Sequence, residues 1–289
     1  MQLKRIEPRL LVLAVALVIT GGSSGCGFAK RVIAKDKMNQ GVLKYNQGLN
    51  SEAREYFKSA TDYVPSEAVG WLYYGATLVK DYKTQTGEQR EKTANQALDI
   101  FKKALELAKG NCDLEENSMA YISSIYDELK NDAAWQEWMV KRAESGCAKK
   151  PLKATIYHSI AVKYWNCAYE QTTRYADKAV LQKDPFHYRN MDYEAARPDR
   201  ERVDDCITKG MQYVEKSLAV DPEYPDVMYY KGLLYREKQK MTKNEADRKK
   251  LGDEAEAIAK KAGEITKKRE AEAEAAKKAK AAEKGTPST

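Results

Sequence analysis

The chain has 289 residues, a length that corresponds to one large or two ordinary domains. It is 43% hydrophobic and 32% charged with only 4 Phe and 8 Pro, which is typical of a soluble helical protein and argues against a sheet-rich core or a proline-rich linker protein. The formal charge of +7 is dispersed along the chain, so the sequence does not indicate a nucleic-acid-binding protein.

The N-terminal residues predict an export signal. A basic segment, MQLKRIEPR, precedes an apolar run from Leu10 to Thr20, and the small residues GGSSG then lead to Cys26. The apolar run is shorter than the about 20 residues of a membrane-spanning helix, so residues 1–25 read as a signal peptide. The order of segments resembles a bacterial lipoprotein signal, although Ser23 stands where that family prefers Leu.

The lipoprotein resemblance implies lipidation of Cys26, with residues 26–36 as an acylated tether. Acyl chains buried in lipid would then anchor the protein in the cell envelope. Gly27 rather than Asp follows the cysteine, which by the sorting rule of enteric bacteria implies an outer-membrane lipoprotein facing the periplasm. The alternative is ordinary signal cleavage after a small residue, with Cys26 left as an unmodified thiol.

A repeated pattern runs through residues 37–262. A large residue, an apolar–small pair and a second large residue recur at fixed spacing, and an A-x3-F-x2-A segment follows. The clearest copy is Trp71-x2-Tyr74-Gly75-x2-Leu78 followed by Ala97-x3-Phe101-x2-Ala104. This pattern resembles the tetratricopeptide repeat (TPR). The resemblance implies an all-α fold, a right-handed α-solenoid of about five TPR-like helical hairpins.

The other copies are more degenerate, but the same physical reason applies to each. Small residues on both helices of a hairpin allow close approach, and the large residue beside them fills the remaining space. Further copies start near Gly41, Met119, Tyr157 and Met228.

Each copy has one pattern for its first helix and one for its second, and the number of residues between them predicts the length of the hairpin. Gly41 and Ala53 are 12 positions apart, whereas Gly75 and Ala97 are 22 apart, which predicts an extended hairpin. The copy that begins at Met228 is extended in the same way. In the fourth copy the gap leaves an insertion at about 167–205, and insertions in repeat proteins often carry function. Residues 263–289 form a charged tail of helix formers without an apolar stripe, either a solvated helix or partly disordered.

Four further cysteines allow three pairings, and the hairpin topology selects one. One cysteine precedes the first helix of the third hairpin and another follows its second helix, so this pair would lie at the same end of the hairpin. The other pair would end the first helix and begin the second helix of the fourth hairpin. The predicted disulfides are Cys112–Cys147 and Cys167–Cys206. Free buried thiols remain an alternative, whereas a zinc site is disfavoured because there is no C-x2-C spacing and only 2 His.

The sequence contains no motif that predicts catalysis. There is no phosphate-binding glycine loop, HExxH or G-x-S-x-G, and the adjacent carboxylates such as Asp204 and Asp205 fit solvated turns or helix starts. We therefore expect no enzyme activity, no cofactor and no metal.

The TPR resemblance implies that the first helix of each hairpin lines a concave surface. Carried over position by position, it gives the candidate partner-binding residues Met38, Tyr45, Leu72, Tyr73, Tyr121, His158, Trp165, Tyr229, Tyr230 and Arg236. Large rings are frequent interface anchors, although the same rings could simply pack between helices. The polar set with which chaperone-binding TPR proteins hold a carboxylate is missing, so a peptide segment or helix with apolar anchors fits better.

The leading hypothesis is a non-enzymatic scaffold, anchored in the cell envelope, that binds a partner protein. Lipoproteins of similar layout assist outer-membrane protein or pilus assembly. One alternative is a self-associating structural lipoprotein. Another is a periplasmic binder of a small ligand or glycan, based on rings in or beside the insertion: Trp165, Tyr169, Tyr175, Phe186, His187 and Tyr188. The sequence leaves the oligomeric state open.

Overall fold

The structure is a computed structural model that describes residues 24–176, 188, 191 and 193–284, with described side chains between residues 27 and 279. All regular secondary structure in these residues is helical, which confirms the predicted all-α fold of helical hairpins. The chain divides into two compact units, Met1–Cys147 (unit 1) and Ala148–Thr289 (unit 2). None of the helices in the described ranges is long and apolar enough to cross a membrane. The predicted signal peptide lies almost wholly outside the described residues.

Unit 1 consists of three consecutive helical hairpins. Each helix packs against the next along the chain, and the third also contacts the fifth. The helices are α1 (Ser24–Asn46), α2 (Asn50–Tyr63), α3 (Ala68–Thr84), α4 (Gly87–Leu107), α5 (Cys112–Glu128) and α6 (Asp132–Glu144).

In each of the first two hairpins, a close contact between a glycine and a phenylalanine joins the two helices. A Cβ added at Gly41 would lie 2.5 Å from the Phe57 ring, and one at Gly75 would lie 2.8 Å from the Phe101 ring. Both Phe side chains are fully buried. The repeated small and large residues therefore have the packing role that the sequence pattern predicted.

Helix extensions account for the long spacing in the second hairpin. α3 continues to Thr84, α4 begins at Gly87, and Gly87 adopts a positive φ of 58° that favours glycine. α2 and α3 are joined by a polar contact, since Asn50 and Arg54 both donate hydrogen bonds to Asp81. This contact fixes the first hairpin against the second.

The described part of unit 2 contains two long hairpins. Their helices are α7 (Lys150–Thr173), α8 (Arg197–Val220), α9 (Pro225–Met241) and α10 (Glu245–Lys284), with a 3-10 turn at Glu194–Ala196. α7 packs on α8, and α9 contacts α7, α8 and α10. The backbone of α10 at Ala255 comes within 3.1 Å of where a Cβ of Gly232 would stand, so the small residue permits the close approach in this hairpin too.

Helices occupy the predicted tether and extend into the predicted insertion, and the described part of the charged tail is helical, which was one of its two expected states. Residues 26–36, predicted as a tether, belong to α1, and residues 263–284 of the predicted tail belong to α10. α7 and α8 both continue into the predicted insertion at 167–205, so the segment between the two α-helices is limited to residues 174–196. Residues 177–187, which include Phe186 and His187, lie outside the described residues.

The two predicted cysteine pairs lie at disulfide bonding distance. The Cα atoms of Cys112 and Cys147 are 5.0 Å apart, and those of Cys167 and Cys206 are 6.1 Å apart. The expectation that Cys167 ends one helix and Cys206 begins the next was wrong, because both residues lie inside their helices. Both α7 and α8 therefore continue beyond this disulfide.

Candidate partner-binding surfaces

Five aromatic side chains of unit 2 form a connected patch on α7 and at the start of α9, which we call the aromatic surface. Its members are His158, Trp165, Tyr169, Tyr224 and Tyr230. The Tyr230 ring lies between His158 and Trp165, at centroid distances of 5.1 and 5.4 Å, and meets both edge to face. Trp165 stacks on Tyr169 at 5.2 Å, and His158 meets Tyr224 at 5.4 Å.

Helical spacing accounts for this patch. His158, Trp165 and Tyr169 are separated by seven and four positions on α7, so they share one side of the helix. Tyr224 directly precedes Pro225, which starts α9 and fixes the direction in which the chain enters the helix. Tyr169 is 44% exposed and the other four rings are half-buried, so the patch is accessible from solvent.

Two ring nitrogens in the aromatic surface have unused hydrogen-bonding capacity. His158 Nε2 and Trp165 Nε1 are shielded from solvent and have no hydrogen-bond partner among the described residues. The Tyr224 hydroxyl lies 3.5 Å from His158 Nδ1. Burial lowers the pKa of His158, and the opposing effect of Asp226 is smaller, so the ring is neutral at neutral pH.

A buried ion pair lies next to the aromatic surface. Lys240 Nζ is 2.7 Å from Glu237 Oε1, and both residues are almost completely buried. The Lys240 ammonium also lies 5.1 Å from the ring centroids of Tyr169 and Tyr188. The Thr172 hydroxyl donates to Glu237 at 2.5 Å. These contacts join α7, α9 and Tyr188, and thereby fix the position of Tyr169.

Unit 1 carries a different group of rings, Tyr45, Tyr73 and Tyr121, which we call the tyrosine cluster. Tyr73 stacks on Phe57 at 5.3 Å and Tyr121 stacks on Phe101 at 4.5 Å, so two of the three rings lie flat on the core. Burial, with smaller effects of the other two phenols, raises the pKa of Tyr121 to about 12.

The tyrosine cluster also contacts a cation. The Lys80 ammonium lies 3.4 Å from the centroid of the Tyr45 ring, within the range of a cation–π interaction. Burial raises the pKa of Tyr45 and of Tyr73. All three phenols therefore remain neutral near pH 7 and can donate hydrogen bonds.

The structure corrects two of the ten predicted partner-binding positions and places two others beside α10. Met38 and Leu72 are buried in the core of unit 1, so the prediction that they line an accessible surface was wrong. Tyr229 is exposed but its hydroxyl lies next to Gly263 of α10, and Arg236 lies over Gly252 of the same helix. The last two residues therefore lie against α10.

The remaining predicted positions fall into the two groups described above, and two members of the aromatic surface were not predicted as partner-binding residues. Tyr169 was considered only for a ligand site in the insertion, although its spacing from Trp165 places it on the same side of α7. Tyr224 precedes its helix and thus lies outside the helical pattern. A Tyr-Pro pair at a helix start was the available signal.

In the part of the chain that the structure describes, no group of His, Cys, Asp or Glu is arranged to hold a metal ion. The chemistry of the two surfaces is that of neutral rings with hydrogen-bonding edges. Such surfaces bind apolar or aromatic side chains and peptide groups.

Comparisons with known proteins give distant structural similarity. No protein-family model matches the chain, and no curated protein matches it in sequence. Two solved structures of MamA are similar, with 16% and 14% identity, 79% and 86% of this chain covered, 95% of MamA covered in each case, and TM-scores of 0.44 and 0.46. YrrB, described as a TPR protein with an unusual peptide-binding site, is similar at 15% identity over 81% of this chain and 92% of its own, with a TM-score of 0.40.

Proposed function

We propose that this chain is a non-enzymatic scaffold, anchored in the bacterial cell envelope, that binds a segment of a partner protein on its aromatic surface. The observation that carries this proposal is the connected patch of His158, Trp165, Tyr169, Tyr224 and Tyr230, which combines accessible rings with two unpartnered ring nitrogens. Rings of this kind provide a large contact area at low entropic cost and dominate binding energy in protein interfaces.

The chemistry of the patch favours a partner segment with apolar or aromatic side chains. The five side chains include no Asp, Glu, Lys or Arg, and Lys240, which lies beside Tyr169, is paired with Glu237. A strongly charged ligand would find no free counter-ion on these five side chains. A peptide offers side chains for the rings and backbone carbonyl groups for ring N–H donors.

Envelope anchoring is the second part of the proposal. It rests on the lipoprotein-type order of residues before Cys26, whose side chain lies outside the described part. The two cysteine pairs at bonding distance, Cys112–Cys147 and Cys167–Cys206, support it, because disulfides persist in exported compartments. We place the protein in the outer membrane facing the periplasm, with a role in assembling outer-membrane proteins or pili.

The proposed function is tested by chemical crosslinking and mass spectrometry on the full chain in its native membrane. We expect one specific partner, captured by wild type and lost with Trp165→Ala although the variant remains folded by circular dichroism. Tyr193→Ala is the matched control, since Tyr193 is a 66% exposed ring of the same unit outside the aromatic surface. Equal capture by both variants would contradict the assignment of the surface, and crosslinks only between copies of this chain would support self-association instead.

Anchoring is tested separately with Cys26→Ala. We expect wild type to carry an acyl mass on its N-terminal peptide and to fractionate with the outer membrane, and the variant to lose both. A variant that stays in the membrane, together with an unmodified wild-type N-terminus, would contradict lipidation.

A further inference from the structure

The first helix of unit 1 is much longer than the helix it pairs with. α1 has 23 residues and α2 has 14, and the first buried side chain among those described in α1 is Ala34. The ten residues before Ala34 therefore project past the hairpin by about 15 Å. We call residues 24–33 the overhang.

The overhang exposes large apolar side chains without covering any core. Phe28 is 73% exposed, Val32 is 53% exposed and Ile33 is 38% exposed. Residues at positions i, i+1, i+4 and i+5 share one side of a helix, so these three side chains and Ala29 form a single apolar face. Exposed contiguous apolar faces mark surfaces that contact a membrane or another protein.

Two cations flank this apolar face. Lys30 and Arg31 are exposed, they have no ion-pair partner in the described structure, and the overhang contains no acidic residue. An apolar face flanked by basic side chains is the pattern of helices that lie in a membrane interface, with rings and aliphatic groups among the lipids and cations at the headgroups.

We propose that the overhang lies flat on an anionic lipid surface, with Phe28, Val32 and Ile33 inserted and Lys30 and Arg31 at the headgroups. This inference uses the proposed envelope attachment to bring the overhang to the membrane. It goes further because it assigns residues 27–33 a binding role where a passive tether was expected.

The overhang fits lipid better than a second copy of the chain. Three exposed side chains on ten residues offer far less than the about 800 Å² per partner of a stable protein interface. Pairing two overhangs would also bring their cations together without any acid in that segment to compensate. Anionic headgroups neutralise the same cations, each of which adds roughly 1 kcal/mol of attraction near such a surface.

The test uses the full chain reconstituted in vesicles of phosphatidylcholine with about one-third phosphatidylglycerol, an anionic lipid. A tryptophan is introduced by Val32→Trp, and brominated acyl chains serve as quenchers of its fluorescence. Val32 is chosen because an upright helix would raise it about 9 Å above Cys26, whereas a flat helix keeps it among the lipids. Ser51→Trp is the matched control, since Ser51 is an exposed position on α2, the helix that packs on the other side of α1.

We expect brominated lipid to quench Val32→Trp clearly more than wild type, and Ser51→Trp no more than wild type. Adding Lys30→Glu and Arg31→Glu to the Val32→Trp variant should abolish its extra quenching. Lys58→Glu with Lys92→Glu, an equal change in charge at two exposed lysines of α2 and α4, should preserve it.

Vesicle-bound protein in which Val32→Trp is not quenched would overturn the inference while leaving attachment intact. Quenching that is equal in purely phosphatidylcholine vesicles would overturn the role of the cations. Loss of quenching accompanied by a concentration-dependent dimer would favour a second copy as the occupant. None of these outcomes alters partner capture by the aromatic surface, so the two proposals fail independently.

Discussion

The tyrosine cluster of unit 1 and the aromatic surface of unit 2 come from the same sequence pattern but differ in what their rings contact. Tyr73 and Tyr121 lie nearly parallel to buried Phe rings, with interplanar angles of 23° and 9°. In unit 2, Tyr230 meets His158 and Trp165 at 63° and 79°, and none of these three is stacked on a core ring. The first arrangement extends the core, whereas in the second the half-buried rings contact one another.

The largest expected effect distinguishes rings that stabilise the core from rings that bind a partner. Tyr121→Ala should lower the free energy of unfolding by roughly 2–4 kcal/mol, because it removes both buried ring area and the stack on Phe101. Trp165→Ala should cost less stability and yet abolish partner capture. Urea denaturation measures the free energy of unfolding of both variants. A Trp165→Ala variant less stable than Tyr121→Ala would contradict this difference between the two groups of rings.

An intermediate effect is expected where the core supports the tyrosine cluster. Gly75→Ala places a methyl group 2.8 Å from the Phe101 ring, which must shift beneath Tyr121. We expect a loss of roughly 1–3 kcal/mol of unfolding free energy by urea denaturation. Gly146→Ala in the same unit meets no atom within 4 Å and is the control. Equal stability of the two variants would show that this contact relaxes without cost.

The smallest effect concerns pH and unit 2 alone. Burial lowers the pKa of His158 below its ordinary value of 6.5, so the unfolded chain binds a proton more readily than the folded one. The contribution of the neutral ring to the free energy of unfolding is therefore full above pH 6.5. It is lost as the pH falls through 6.5 toward the lower pKa of the folded state. NMR titration of the imidazole protons measures the shift, and His158→Gln should remove this part of the pH dependence. A folded pKa above 6.5 would reverse the predicted sign.

Much of the fold could be predicted because it depends on residue sizes at fixed spacing. The contacts of Gly41 with Phe57 and of Gly75 with Phe101 follow from the repeat, and so do the two cysteine pairs. The exposure of residues on the first helix of each hairpin could not be predicted. Met38 and Leu72 occupy positions that a neighbouring helix covers, and a single helical pattern does not say on which side that neighbour packs.

Contacts between residues far apart in sequence also escaped prediction. Glu237 and Lys240 belong to a charged segment that indicates a solvated face, but α7 covers them and provides Thr172 as a further partner. Tyr224 joins the aromatic surface only because of the direction in which α9 begins. Such features depend on how helices are oriented, which local patterns do not specify.

The length of α10 has a mechanical consequence. Arg269 makes an ion pair with Asp221, and every described side chain after it is exposed, with Glu274 and Lys278 bridging one helical turn at 2.7 Å. The 15 residues from there to Lys284 would form a rod of about 22 Å. The end of the helix at Lys284 therefore stands clear of the other helices of unit 2.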